Sequence, residues 1–149
     1  MAQVEGIQLP DDLYYQPDDH LWVRVEGTRA RVGLDDQAQR SAGTVSAVRL
    51  KPAGRPIAKG KPFGTMEAGK YVGPLKAPIA GQVIEINSEV MSHPGLLNSD
   101  PYGQGWLILI EPDAEHVAGD LTGLVHGNAV QGWLEKSVAD WRKRGLIKS

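Results

Sequence analysis

An all-β fold with short helices and one longer helix at the carboxyl end is predicted by three features of the chain. Apolar and polar residues alternate over Leu21 to Glu26, Arg29 to Leu34 and Gln82 to Asn87, as half-buried strands require. The 18 glycines and 10 prolines are spread at short intervals between such runs, a pattern of many turns rather than of a disordered tract. From Ala129 to Arg144 helix-forming residues continue until Gly145.

A chain of 149 residues can bury one ordinary core, so a single domain over 1–149 is expected, with a β core at about 15–112 and a helical extension at about 113–149. The net charge of −2 gives no general attraction to nucleic acid or to an anionic membrane, and neither partner is expected. Cysteine is absent, which removes disulfides, thiolate metal sites and cysteine nucleophiles; any sulfur or redox chemistry must be brought in. The amino-terminal residues have no basic segment followed by an apolar run, and no stretch has the roughly 18 apolar residues of a membrane helix. A cytoplasmic location is the expectation.

In chain order, Leu9 to Tyr15 reads as an extended lead-in, because proline and paired aspartates favour turns. In the strand that follows, Leu21, Val23 and Val25 should point one way and Trp22, Arg24 and Glu26 the other. A turn at Glu26-Gly27-Thr28 leads to a partner strand that points Ala30, Val32 and Leu34 inward. Asp35 to Gly43 is a short helix, aspartate capping its first N–H groups and glycine closing it. Thr44 to Leu50 is a strand, and a loop then leads to Phe63.

Phe63 to Glu67 is again a short strand, Ala68-Gly69-Lys70-Tyr71 reverses the chain, and Val72 to Leu75 returns, which puts Lys70 at a hairpin tip. Gly69 suits that tip, since a residue without Cβ takes up positive φ at little cost. A second reversal at Ala80-Gly81 precedes the strand ending at Asn87. Ser88 to Met91 is one helical turn, Asn98 to Trp106 a long turn, and Trp106 to Ile110 a buried strand. In the tail, Asn128 and Gln131 form a capping-box pattern, and Trp133, Leu134, Val138 and Trp141 make one stripe that should pack on the rest of the chain. Arg142, Lys143 and Arg144 stand where the helix dipole favours cations.

Residues for catalysis or metal binding are not apparent. His20, His93, His116 and His126 lack metal-ligand spacing, no Gly-x-Ser-x-Gly elbow occurs, and no serine, histidine and aspartate arrangement can be read. Gly103-Gln104-Gly105 is too short for a phosphate loop, and Asp35-Asp36 is accounted for by capping. The chain is not expected to be an enzyme.

Glu67, Lys70, Pro78, Gly81, Val83 and Asn87 together resemble the lipoyl-lysine hairpin of glycine-cleavage H proteins, in which a Glu-Ser-x-Lys tip is followed by Ser-Pro-x-x-Gly-x-Val-x-x-x-Asn. His20, Trp22, Val23, Gly27, Gly33, Ala38 and Gln39 match that family's early signature, and Asn98 to Trp106 resembles its Asn-x-Asp-Pro-Tyr-Gly-x-Gly-Trp segment. The likeness runs over about 15–112. It implies a lipoyl/biotinyl barrel-sandwich hybrid, lipoic acid joined covalently to Lys70, and a non-catalytic carrier whose chemistry belongs to the cofactor. It also implies a lipoate-protein ligase and dihydrolipoamide dehydrogenase as partners, with Glu67 linked to recognition by the attaching enzyme.

The tip departs from the family's Val-Lys-Ala-Val-Ser-Asp. Gly69-Lys70-Tyr71-Val72-Gly73-Pro74 adds an aromatic contact surface beside the lysine and a proline that stiffens the return strand. This version resembles the H-protein-like lipoate-binding proteins of the heterodisulfide-reductase-like sulfur oxidation system. That resemblance implies an arm carrying sulfur intermediates to a heterodisulfide-reductase-like complex, with Gly69, Tyr71, Gly73 and Pro74 in attachment or partner recognition. The alternative is a glycine cleavage H protein carrying the aminomethyl group between enzymes. A biotin carrier would surround its lysine with methionines, which Gly69 and Tyr71 count against. A barrel that merely binds a partner, unmodified, is the third reading.

Overall fold

The computed structural model describes residues 1–69 and 71–146; Lys70 and 147–149 lie outside the described residues. Residues at the amino end form a hairpin of β1 (Ala2–Val4) and β2 (Ile7–Leu9). Then β3 (Tyr14–Tyr15), β4 (Leu21–Glu26) and β5 (Arg29–Leu34) run as an antiparallel meander, Tyr14 opposite Val23 and Leu21 opposite Leu34. In α1 (Asp36–Ala42) the Asp35 carboxylate accepts the Ala38 N–H at 2.9 Å, and Gly43 closes the helix at φ 81°. Four strands follow it: β6 (Val45–Leu50), β7 (Pro56–Ile57), β8 (Pro62–Ala68) and β9 (Tyr71–Lys76). After β10 (Gly81–Ile86) come α2 (Ser88–Ser92), capped by Asn87, and α3 (Leu96–Ser99). The chain continues through β11 (Ile108–Pro112), α4 (Val117–Thr122), β12 (Val125–His126) and α5 (Ala129–Lys143).

Strand order in the larger sheet is β12-β3-β4-β5-β11-β10-β7, and in the smaller sheet β6-β8-β9. The fold is thus mostly β with short helices and a carboxyl-terminal helix. The main core lies between these sheets, where Leu21, Val23, Val32 and Ile108 meet Val48, Phe63, Met66 and Leu75. A second cluster sits on the opposite face of the larger sheet: Tyr15 and Trp22 are covered by Leu9 and Leu13 and by Val130, Leu134 and Val138 of α5. Burying each such side chain is worth about 1.5–3 kcal/mol, so α5 is held by its apolar stripe more than by its propensity.

The alternation expected for β4 is present, and both of its faces have cover. Trp22, on the face opposite Leu21 and Val23, is fully buried because α5 and the amino-terminal hairpin close over it. Val25, on the same face as Leu21 and Val23, is 49% exposed; it lies near the Gly27 turn, outside both clusters. The lead-in expected at Leu9 to Tyr15 contains β3 and is preceded by the β1–β2 hairpin. Trp106 precedes β11 instead of opening it, held half-buried with Arg31 over its ring at 4.4 Å. Asn128 has helical φ and ψ and makes no side-chain cap, while Gln131 instead bonds the backbone of Gln3, accepting its N–H at 3.0 Å and donating to its carbonyl at 3.2 Å. Burial pushes the phenols of Tyr15 and Tyr102 up, well clear of the range in which an exposed tyrosine ionises.

Trp22 lies directly across from Gly33 in the β4–β5 ladder, and a Cβ at Gly33 would meet the indole ring at 2.4 Å. The ring cannot swing aside, since it is packed on all sides and its N–H donates to the Pro101 carbonyl at 3.0 Å. Gly33→Ala is therefore expected to cost about 1–3 kcal/mol as an overpacking change. A lowered urea midpoint with an unchanged slope would show it; an unchanged midpoint would show that the ring has room to move.

Candidate functional site

Strands β8 and β9 pair in the register Ala68 to Tyr71, Glu67 to Val72, Met66 to Gly73 and Thr65 to Pro74. Only Gly69 and Lys70 separate the paired Ala68 and Tyr71, and Gly69 has φ 58°. A positive φ at the first loop position is what both primed two-residue hairpin turns need. The reversal expected around Lys70 is therefore present, although the lysine itself lies outside the described residues.

Side chains of opposed residues share a face, so Ala68, Met66, Tyr71, Gly73 and Leu75 form the inward row and Glu67, Thr65, Val72, Pro74 and Lys76 the outward one. Tyr71 bends back along its own strand over Gly73; a Cβ there would meet the Tyr71 hydroxyl at 2.1 Å. Gly73 is buried by this ring, while Tyr71 stays 51% exposed and Val72 66% exposed. The obstacle is the far end of a mobile side chain rather than backbone. For Gly73→Ala we expect the tyrosine ring to leave the strand, seen as lost ring-to-backbone Overhauser contacts at residue 73. The stability change should stay within about 0.5 kcal/mol.

Beside the inward row lies a groove of about 490 Å³. Met66 and Leu75 come from the hairpin, Leu34 and Ala38 from β5 and α1, and Trp141 and Leu146 from the carboxyl-terminal segment. Its rim carries Asp18 and Asp19, both exposed. Ser41 donates to the Leu146 carbonyl at 2.8 Å, which fastens the residues just after α5 to α1 along this groove.

His20 also lines the groove, buried and at φ 58°. Its Nδ1 is 2.9 Å from an Asp35 carboxylate oxygen, its Nε2 is 3.3 Å from Ser137 Oγ, and its ring lies 4.5 Å from that of Trp141 and 5.0 Å from that of Trp133. A serine, histidine and aspartate are thus brought together where none could be read in sequence, because Ser137 arrives on α5 from 117 residues away. Ser137 also accepts from Gln37 at 2.9 Å and lies outside the groove lining, so this network fastens α5 to α1 and β4.

Of the residues singled out from sequence, Gly69, Tyr71, Gly73 and, from the outward row, Pro74 line the groove, whereas Glu67, in that same outward row, does not and is half-buried beside Ala47. Other residues of the hairpin pattern are scaffold. A Cβ at Gly81 would strike the Glu111 carbonyl at 2.3 Å, and the Asn87 amide donates to the carbonyls of Gln104 and Trp106 at 2.8 and 2.7 Å. Sequence reading missed Trp141 and Leu146 as groove walls; only the spacing of the tail stripe pointed to either. Among the described residues no group of three or more histidine, aspartate or glutamate side chains is placed to hold a metal ion, and no helix is long and apolar enough to cross a membrane.

The family model described as glycine cleavage H-protein matches residues 13–137. The chain belongs to this family. It is 38% identical over 141 residues to "Glycine cleavage system H protein 3" of Aquifex aeolicus, covering 93% of this chain and 88% of that one. With "Glycine cleavage system H protein" of Salinibacter ruber it shares 46% identity over 114 residues, covering 76% and 91%. A crystal structure of a glycine cleavage system H protein from Mycobacterium marinum superposes with a TM-score of 0.66 at 31% identity, covering 74% of this chain and 97% of that one. The glycine cleavage H proteins are non-catalytic carriers of covalently attached lipoate that act with partner enzymes, and the barrel-sandwich fold expected from the sequence is the one observed.

Proposed function

We propose that Lys70 carries lipoate in amide linkage and that this H-protein family member moves the aminomethyl group between the enzymes of glycine cleavage. The observation that carries the proposal is the tight reversal between the paired Ala68 and Tyr71, whose Gly69 and Tyr71 line an apolar groove. A groove of about 490 Å³ walled by Met66, Leu75 and Leu34 suits a short apolar arm leaving the polypeptide beside Gly69 and Tyr71. When attached, the group supplies a disulfide/dithiol couple, which a chain without cysteine cannot. The protein's part is placement. Tyr71 lies flat at the groove's lip, α5 closes the far wall through Trp141, and Asp18 and Asp19 favour a cationic amine at the rim by a fraction of a kcal/mol each, as exposed pairs do.

The names of the relatives support the glycine cleavage reading. A second reading, an arm serving heterodisulfide-reductase-like sulfur oxidation, is favoured by one local feature: the Tyr71 ring lying over Gly73, with Pro74 next to it on an exposed edge strand. A contact worth 1.4 kcal/mol alters partner choice about tenfold, so an aromatic surface at the tip is enough to separate two carriers. The test is to lipoylate the protein and offer it the glycine decarboxylase and aminomethyl-transfer enzymes in one assay and a heterodisulfide-reductase-like complex in another. Glycine decarboxylation with no binding in the second assay is the expected result, and the reverse outcome would exchange the two readings.

A further inference from the structure

At the end of the barrel opposite the lysine hairpin, we propose a binding site for a small organic anion, a carboxylate or phosphate on a short apolar body. The strand β8 sets the separation: Lys61 precedes its first residue and Gly69 follows its last, about 26 Å away at the usual rise per residue. No aspartate or glutamate stands between Asp36 and Glu67, although Arg40, Arg49, Lys51, Arg55, Lys59 and Lys61 all fall there. In a chain of net charge −2 this is a marked local excess of positive charge.

The fold gathers part of that charge around a cavity of about 280 Å³. Lys51, Arg55 and Lys61 stand on its rim, no acidic residue lines it, and none of the three has an ion-pair partner among the described residues. Its walls are apolar and stiff, made by Pro52, Pro56 and Pro62 with Ile57, over Phe63 and Val83. The rim is held by the backbone: Lys51 N–H donates to the Phe63 carbonyl at 2.9 Å, Gly54 N–H to the Val83 carbonyl at 2.7 Å, and Val83 N–H to the Arg55 carbonyl at 2.9 Å. A preformed apolar recess with cations only at its mouth selects for both parts of the ligand. The charge attracts an anion, and the recess retains one whose body is apolar, at the small end of ligand sizes. The site is separate from the groove lined by Gly69 and Tyr71, so it stands whether or not Lys70 is lipoylated.

The test is a titration of the isotopically labelled full chain, at constant ionic strength, with hexanoate, hexyl phosphate, acetate, inorganic phosphate and hexylammonium. Expected are saturable amide shifts at Lys51, Arg55, Ile57, Ala58 and Lys61 with hexanoate or hexyl phosphate, the two distinguishing the preferred head group. Their affinity should exceed that of acetate or inorganic phosphate at least tenfold, about 1.4 kcal/mol. Hexylammonium should give no shift there. The exposed double variant Lys51→Glu/Lys61→Glu should lose the binding at least tenfold, while Lys143→Glu/Arg144→Glu, at the end of α5, should keep it. Equal affinity for the inorganic and organic anions would reduce the site to counter-ion attraction and overturn the proposal. So would shifts that fail to saturate, or that survive the double charge reversal.

Discussion

Lys70→Arg is expected to remove lipoylation completely while leaving the fold intact. Arginine keeps a positive charge but has no primary amine to acylate, and lipoylation forms an amide only by displacing a proton from such an amine. Two other lysines bracket the hairpin without sharing its setting: Lys61 is the residue before β8, and Lys76 ends the outward row of β9. Neither sits in the link between paired strand ends. Intact-mass measurement after incubation with a lipoate ligase should therefore show one addition to the wild-type chain and none to the variant. Unfolding midpoints should agree within about 0.5 kcal/mol, as for an ordinary surface change. A variant labelled as fully as wild type would refute the assignment, and Lys76 and Lys61 would be replaced next.

Trp22→Ala should be the most damaging single substitution in the scaffold. The indole is wholly buried, packs against Leu134 and its neighbours on α5, bears the Arg24 guanidinium at 4.9 Å, and donates to the Pro101 carbonyl. Removing it opens a cavity that two separate segments would have to collapse to fill. A loss of about 3–5 kcal/mol is expected, a large part of the stability of an ordinary domain. Leu134→Ala should cost about 2–5 kcal/mol. The two losses should fall short of additivity, because each already vacates part of the same cluster. Denaturant titrations of the single and double variants check this, and a strictly additive pair would mean that α5 and β4 are stabilised independently.

Legibility of the chain divides along the same cluster. The hairpin around Lys70 could be read almost to the residue, since local signals set it: the strand-like make-up of Phe63 to Glu67, a glycine where φ must be positive, and a short return run from Val72 to Leu75. Helix α1 was equally plain, with Asp35 and Gly43 as its two ends. What local pattern could not disclose was which faces have cover. Alternation sets Trp22 opposite Leu21 and Val23, but not that α5 covers it from more than a hundred residues away, and the contacts of His20 with Ser137 and Trp141 have the same origin. Asn128 and Gln131 have the spacing of a capping box, yet Gln131 is drawn to the backbone of Gln3, which the β1–β2 hairpin places within its reach. Groove walls were hidden for a related reason. Tyr71 was legible as an aromatic at the tip, but its fold back over Gly73 depends on the side to which the strand turns.

The seat of Trp141 against His20 gives the molecule an optical reporter of its own. Of the four tryptophans, Trp22 is sealed beneath α5, Trp106 lies under Arg31, and Trp133 packs toward Tyr15, while Trp141 alone lines the groove. An arm entering that groove would displace water from one indole and leave the other three untouched. Emission from Trp141, isolated by difference against Trp141→Phe, would thus follow docking and release of the arm in real time without any added dye.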